Sequence, residues 1–157
     1  GHVMRCTAKD CFRQQFPRTD PAIIVLVENG TRALFGRQAQ WPKARYSTIA
    51  GFVEPGESAE QAVVREVSEE TGVAVVTITY HSSQPWPFPA SLMIGCHAEA
   101  ISDEIVADPG EMSDVRWFTK DEVKLALEDK LEGVNIPGPI AIAHHLIRAW
   151  TYGTANI

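Results

Sequence analysis

The chain has 157 residues, 45% of them hydrophobic, and a formal net charge of −6, enough for one domain with its own core. A pI near 5.3 excludes nonspecific nucleic-acid binding driven by overall charge, so a phosphate-bearing substrate would need divalent cations or a local Arg/Lys patch to offset repulsion. No run of 18 apolar residues occurs, so no transmembrane helix is expected, and three cysteines without a dense framework (Cys6, Cys11, Cys96) point to a reducing compartment, with the cytoplasm as the default.

Residues 1–4 (Gly-His-Val-Met) read as a tag remnant followed by a start, and the N-terminus lacks the basic-then-apolar layout of a secretory signal. Residues 21–27 (PAIIVLV) form an unbroken apolar run rich in β-branched side chains, the pattern of a central strand. Asn29-Gly30 then marks a hairpin, and residues 32–37 read as its return strand. A loop is expected over 38–45 and a third short strand over 46–52. Ser58 is a good N-cap with Gln61 as its capping-box partner, so a helix is expected from there to about Thr71, with Gly72 at its C-cap. Its apolar face is Ala59, Ala62, Val63 and Val67.

Two strands are expected over 73–80 and 91–101. Between them, the alternation of proline and aromatic residues over 82–91 argues against both helix and regular strand. Residues 103–112 read as an acidic loop and 115–118 as a strand. Thr119 caps a helix reaching about Asp129, a Gly/Pro loop covers 133–138, and 139–152 form the last helix. Strands and helices mix without regular alternation, so the expected fold is α+β rather than a doubly wound sheet.

The helix after Ser58 carries Glu66, Glu69 and Glu70. Residues three and four apart are neighbours on a helix surface, and like charges there cost roughly a few tenths of a kcal/mol per pair. Such crowding either faces water or holds a cation, and hard oxygen donors on a rigid element suit Mg²⁺ or Mn²⁺. A lone acidic cluster is more often a solvated face. This cluster sits inside a longer pattern: Gly51, five residues, Glu57, seven residues, then Arg65-Glu66-Val67-x-Glu69-Glu70-x-Gly72-Val73. That pattern resembles the Nudix box of the Nudix hydrolase family.

The resemblance implies a Nudix-type α/β/α sandwich around a central mixed β-sheet. It also implies that the carbonyl of Ala50 and the carboxylates of Glu66 and Glu70 bind Mg²⁺ or Mn²⁺. Glu69 and Glu70 are the implied catalytic residues, with Glu69 either a further ligand or the general base that activates water. A further metal-binding carboxylate is expected from a distant loop; Glu111 is the first candidate, with Asp108 and Glu104 as alternatives. Glu57 and Arg65 are expected to pair and brace the loop on the helix. The reaction class is attack of a metal-activated water on phosphorus.

A second segment, residues 83–93 (SQPWPFPASLM), resembles the SQPWPFPxS array of the NADH pyrophosphatase subfamily. Prolines hold Trp86 and Phe88 in place, and such rings can stack on a base. Gln84 and Ser91 can hydrogen-bond amide, ribose or phosphate groups. The substrate-binding set implied by the resemblance is Phe16, Gln84, Pro85, Trp86, Pro87, Phe88, Pro89, Ala90, Ser91 and Ala143. Trp41, Tyr46 and Trp150 also match, while His144 and His145 read as structural. The subfamily carries a four-cysteine zinc ribbon upstream. Here Cys6 and Cys11 are separated by four residues and have no upstream pair, so no zinc site is expected. Residues 5–20 then read as a ribbon remnant and linker, and residues 21–157 as the Nudix domain.

These motifs together point to hydrolysis of the diphosphate bond of NAD(H), giving NMN(H) and AMP, with removal of NAD caps from RNA as a related activity. The resemblance implies a homodimer, and nothing in the sequence suggests a membrane partner. Two alternatives stand. One is a Nudix hydrolase of other nucleoside diphosphate derivatives such as ADP-ribose. The other is a Nudix-fold module that binds nucleotide without catalysis, a role that retention of Glu66, Glu69 and Glu70 disfavours.

Overall fold

The computed structural model describes residues 3–153. Its first element is a small hairpin, β1 (Met4–Arg5) paired antiparallel with β2 (Gln14–Gln15). Met4, set aside above as part of a tag remnant, therefore takes part in the fold; Gly1 and His2 of that remnant lie outside the described residues. Cys6 and Cys11 sit within this hairpin as exposed free thiols.

β3 (Asp20–Glu28) is the spine of a six-stranded sheet. It pairs parallel with β7 (Ser91–Ala100) and antiparallel with β4 (Arg32–Gln38) and β5 (Ile49–Phe52). β6 (Val75–Trp86) forms one edge beyond β7, and β8 (Met112–Thr119) the other beyond β4. The continuous apolar run of β3 is explained by burial on both faces. Ile23, Val25 and Val27 enter one core with α1 (Ala59–Thr71), while Ile24 and Leu26 enter a second core with α2 (Lys120–Leu127) and α3 (Ile142–Tyr152). Each fully buried Val, Ile or Leu contributes about 1.5–3 kcal/mol. The result is the expected α+β sandwich with a mixed central sheet.

β3 and β4 pair only at Val27↔Leu34 and Glu28↔Ala33, then diverge. β5 takes up the freed edge of β3, from Ala22↔Phe52 to Val25↔Ile49. The third strand is consequently shorter than the expected 46–52. Ser47 bridges back to Gly36 on β4, and the Tyr46 N–H goes to the carbonyl of Asn135. This fork between β3 and β4 opens the space that becomes the site.

Residues 82–86 depart from expectation by continuing β6 as strand, paired from Ser82↔Gly95 to Trp86↔Ser91. Pro85 is tolerated because β6 is an edge strand, where a missing N–H need not break a ladder. Residues 87–90 make the turn, and the Phe88–Pro89 peptide is cis. The last helix starts at Ile142 rather than at residue 139, and α2 ends at Leu127.

Candidate active site

α1 begins and ends as its sequence dictates. The Ser58 hydroxyl accepts from the Gln61 N–H at 3.2 Å, and Gln61 Oε1 accepts from the Ser58 N–H at 2.8 Å. Gly72 closes the helix at φ +72°, where a Cβ would stand 3.0 Å from the backbone nitrogen of Val106. That close approach is anchored by two hydrogen bonds. The N–H groups of Val106 and Asp108 donate to the carbonyls of Thr71 and Glu70. The acidic loop is thus pinned to the end of α1, which carries Glu111 toward the helix carboxylates.

Arg65 is the hub of the cluster. Its guanidinium donates to both oxygens of Glu57 at 2.6 and 2.9 Å, to Glu66 Oε1 at 2.9 Å, to Glu69 Oε2 at 3.1 Å and to the Phe52 carbonyl at 2.9 Å. The expected Glu57–Arg65 brace is therefore present, and it is bidentate. Arg65 holds the Glu57 carboxyl down to about 2, helped by the Glu54 N–H. Glu69 is the open member, with a side chain 61% exposed.

Glu66 packs against the turn so closely that a Cβ on Gly51 would fall 1.9 Å from its carboxyl carbon. A glycine there is what lets the carboxylate lie against β5. Burial pushes the Glu66 pKa up, Arg65 pulls it down, and Glu69 and Glu111 push it up again. Glu70 is buried, at 4% exposure, and its Oε2 has no hydrogen-bond partner. Burial, then the charges of Glu66, Glu111 and Glu69, raise its pKa to about 8.

Of the three loop candidates, Glu111 is the one whose charge reaches both Glu66 and Glu70. Asp108 is engaged locally, accepting from the Gly110 N–H at 2.8 Å. No group of three acidic, histidine or cysteine side chains among the described residues is drawn together tightly enough to hold an ion, and Arg65 engages Glu66 and Glu69. The donors nevertheless fit a hard divalent cation. They are all carboxylates, and one buried carboxylate oxygen lacks any partner.

Beside the cluster, a cavity of about 210 Å³ lies in the fork of the sheet, with Ala50, Thr48, Trp41, Trp86 and Ala143 in its wall. Ala50 links it to the Gly51 turn. Trp86 and Phe88 meet edge to face at 5.5 Å, but Phe88 itself is 72% exposed and faces outward. Phe16, ahead of β3, is also exposed. Pro85 pairs with Leu92, and Pro87, Pro89 and Ala90 lie in the turn, whose Ala90 carbonyl accepts from the Asp20 N–H. Ser91 is buried at the start of β7.

Gln84 also borders the cavity, yet its amide is engaged within the protein. Nε2 donates to the Ile140 carbonyl at 2.7 Å, and Oε1 accepts from the Ile142 N–H at 2.8 Å. Ala141, the N-cap of α3, offers no side-chain bond, so Gln84 caps that helix from another element. His144 and His145 reach the carbonyls of Pro137 and Pro139, in keeping with structural roles. In the N-terminal hairpin, the Cys6 thiol has a lowered pKa through the Ala8 backbone and Cys11, so the two thiols are neighbours.

Among the cavity residues that the sequence does not single out, two stand out chemically. Thr48 Oγ1 is buried without a partner in the wall, and Arg45 stacks 5.0 Å over Trp41 at the rim. The Trp-x-x-x-Arg spacing in the 38–45 loop was the available signal for the second. Nothing local marks Thr48.

Residues 17–136 match the NUDIX domain family. The chain belongs to the Nudix family. Among curated proteins, it is 45% identical over its whole length to "NAD-capped RNA hydrolase NUDT12" of Macaca fascicularis, covering 36% of that protein. It is 47% identical over 87% of its length to "NAD-capped RNA hydrolase NudC" of Mycobacterium bovis, covering 46% of that protein. The chain thus spans less than half the length of these relatives. Among solved structures, a NUDIX hydrolase from Nitrosomonas europaea aligns over 99% of this chain and 90% of its own, with a TM-score of 0.73 and 15% identity. The NUDIX domain of Shewanella oneidensis NrtR, solved with ADP ribose, aligns over 69% of this chain and 78% of its own, with a TM-score of 0.58 and 18% identity. At these identities the structures speak for the fold alone.

Proposed function

We propose that this chain hydrolyses the diphosphate bond of NAD(H), yielding NMN(H) and AMP, and acts likewise on the NAD cap of RNA. The observation that carries the proposal is the buried, unpartnered carboxylate of Glu70 in a cluster with Glu66, Glu69 and Glu111, next to a cavity walled by Ala50 and Trp86. The Trp86 indole is suited to stack on a base. The names of the NUDT12 and NudC relatives support the choice of an NAD-type substrate.

Glu66, Glu70 and Glu111, with the Ala50 carbonyl, would hold Mg²⁺ or Mn²⁺, which supplies charge neutralisation at phosphate and a more acidic bound water. Arg65 keeps Glu66 and Glu69 aligned on one side of α1. Glu69, exposed and bonded to Arg65 at 3.1 Å, would take a proton from the attacking water or act as a further ligand. The bidentate Glu57 pair fixes the Gly51 turn, so the backbone facing the substrate does not have to be ordered at the moment of reaction.

A homodimer and a cytoplasmic location belong to the same proposal. Sedimentation of the purified chain checks the first, and three free thiols accord with a reducing compartment. The deciding experiment is hydrolysis of NADH and ADP-ribose with Mg²⁺ or Mn²⁺, with products separated chromatographically. NADH is expected to be preferred. ADP-ribose preferred by more than about tenfold, roughly 1.4 kcal/mol in transition-state binding, would move the assignment to another nucleoside diphosphate derivative.

A further inference from the structure

Positive charge gathers beside the cavity in a chain whose net charge is −6. Arg37 on β4 and Arg116 on β8 place their guanidinium carbons 5.7 and 4.6 Å from the centre of the Tyr46 ring, so both cations belong to one patch. Arg37 also donates to the Lys43 carbonyl, which ties the 39–45 loop to that patch. Arg45 stacks over Trp41 at the cavity rim and carries the charge up to the site. Lys43, Arg45 and Arg116 are exposed. Among the described residues, the one carboxylate within ion-pair distance of any of these four cations is Asp114, 3.5 Å from Arg116. Asp114 is also bonded by the Tyr46 hydroxyl. The loop is held in place by the Asn135 N–H on the Ala44 carbonyl, so the cations sit on a fixed platform.

We propose that Arg37, Lys43, Arg45 and Arg116, with the Trp41 face, form the track for the RNA chain of an NAD-capped RNA whose dinucleotide end enters the cavity. The proposal rests on the functional reading above and names the larger of its two substrate classes. A free dinucleotide carries its phosphates at the bond to be cut and leaves nothing for Arg37, Lys43 and Arg116, which lie outside the cavity wall. RNA adds one phosphate per nucleotide, and single strands are held by cations interleaved with aromatic faces. A chain of negative net charge also needs such a local path if RNA is to approach at all.

The test is the double variant Lys43→Gln/Arg116→Gln, in which neither side chain lines the cavity. Fluorescence anisotropy with a short uncapped single-stranded RNA reads the patch directly. Losing two phosphate contacts should lower the slope of log affinity against log salt by about 1.4, roughly 0.7 per contact. In kinetics, KM for NAD-capped RNA should rise by about tenfold or more at low salt, while NADH hydrolysis stays within about twofold of wild type. The charge-preserving Lys43→Arg/Arg116→Lys should keep the wild-type slope. Lys43→Gln alone, on an exposed loop, should lower it by about 0.7 and decides the matter if the double variant misfolds. An unchanged salt slope, or equal loss on NADH and capped RNA, overturns the track. Failure of the wild type to cleave either substrate would sink the functional reading, and the anisotropy result would still decide the patch.

Discussion

In the absence of metal, Glu70→Gln should make the protein more stable while abolishing its activity. The carboxyl is 4% exposed, one oxygen is unpartnered, and burial with the charges of Glu66, Glu111 and Glu69 lifts its pKa from 4.5 to about 8. The group is raised in the folded state, so the folded protein binds the extra proton. No penalty exists below pH 4.5; it grows as the pH rises toward 8 and is constant above. At pH 7 the gap from the unfolded value is about 2.5 pH units at about 1.4 kcal/mol each, an upper bound of about 3–4 kcal/mol. Glutamine keeps the shape, carries no charge and can donate to neighbouring carboxylates. A gain of about 1–3 kcal/mol corresponds to several degrees in Tm, at roughly 2–4 °C per kcal/mol for a domain of this size. Thermal unfolding in EDTA at pH 7 and pH 5 is the assay, with the difference shrinking at the lower pH. Adding Mg²⁺ should then stabilise the wild type by ligand linkage and leave the variant nearly unmoved. A variant less stable than wild type in EDTA at pH 7, or one with the same Mg²⁺-dependent shift, would refute this account of Glu70.

Gly51→Ala should preserve the fold, because the atoms a Cβ would meet are the movable end of Glu66. Displacing that carboxylate should still lower NADH hydrolysis by about 10- to 100-fold; a wild-type rate would show that its position is not required. Gln84→Ala removes the two bonds that hold the start of α3. Loss of a cap costs about 1 kcal/mol, so a lower Tm and a raised KM at unchanged kcat are expected. A lower kcat at unchanged Tm would instead assign Gln84 a direct role on the reacting group. His97 has its pKa lowered to about 4 by burial and by His81, whose ring stacks on it at 5.3 Å. A base depressed in the folded state contributes stability above its unfolded pKa of about 6.5 and loses it as the pH falls toward 4. Urea unfolding between those values should lose at most about 2–3 kcal/mol, less where water reaches the ring. His97→Leu should flatten that limb; a limb unchanged in the variant would place the titration elsewhere.

Much of the fold was legible because local signals agreed with one another. The apolar run of β3, the Ser58–Gln61 box and Gly72 at the helix end each have a single local meaning, and the structure bears each out. The 82–86 stretch was not legible. Proline opposes a strand locally, and only the position of β6 at a sheet edge removes the objection. The fork of β3 and β4 was equally hidden, since nothing in residues 46–52 says that Ser47 pairs with one strand and Ile49 with another. The carboxylate cluster was readable from spacing along α1. The choice of Glu111 over Asp108 depends on which loop carboxylate the Asp108 turn turns inward, a tertiary fact. The cavity wall draws on segments far apart in sequence, so Thr48 became visible only when the chain was folded.

The physical cost of Glu70 bears on the choice between a hydrolase and a module that merely binds nucleotide. A buried carboxylate with an unpartnered oxygen destabilises the folded chain, and three further carboxylates nearby make it worse. A pocket that only binds gains nothing from this, because base stacking on Trp86 and hydrogen bonds at the cavity wall do not need a buried charge near the end of α1. A bound divalent cation would add an attraction to each carboxylate that outweighs those repulsions. The same four carboxylates then become mutually compatible, and the binding energy offsets a penalty already built into the apo fold. The strain therefore bears on the proposed chemistry: it falls where a cation would be held, and Arg65, which engages Glu66 and Glu69, has no hydrogen bond to Glu70. If Glu70→Gln bound nucleotide as tightly as wild type in EDTA and in Mg²⁺ alike, that inference would fail and the binding module would be the better description.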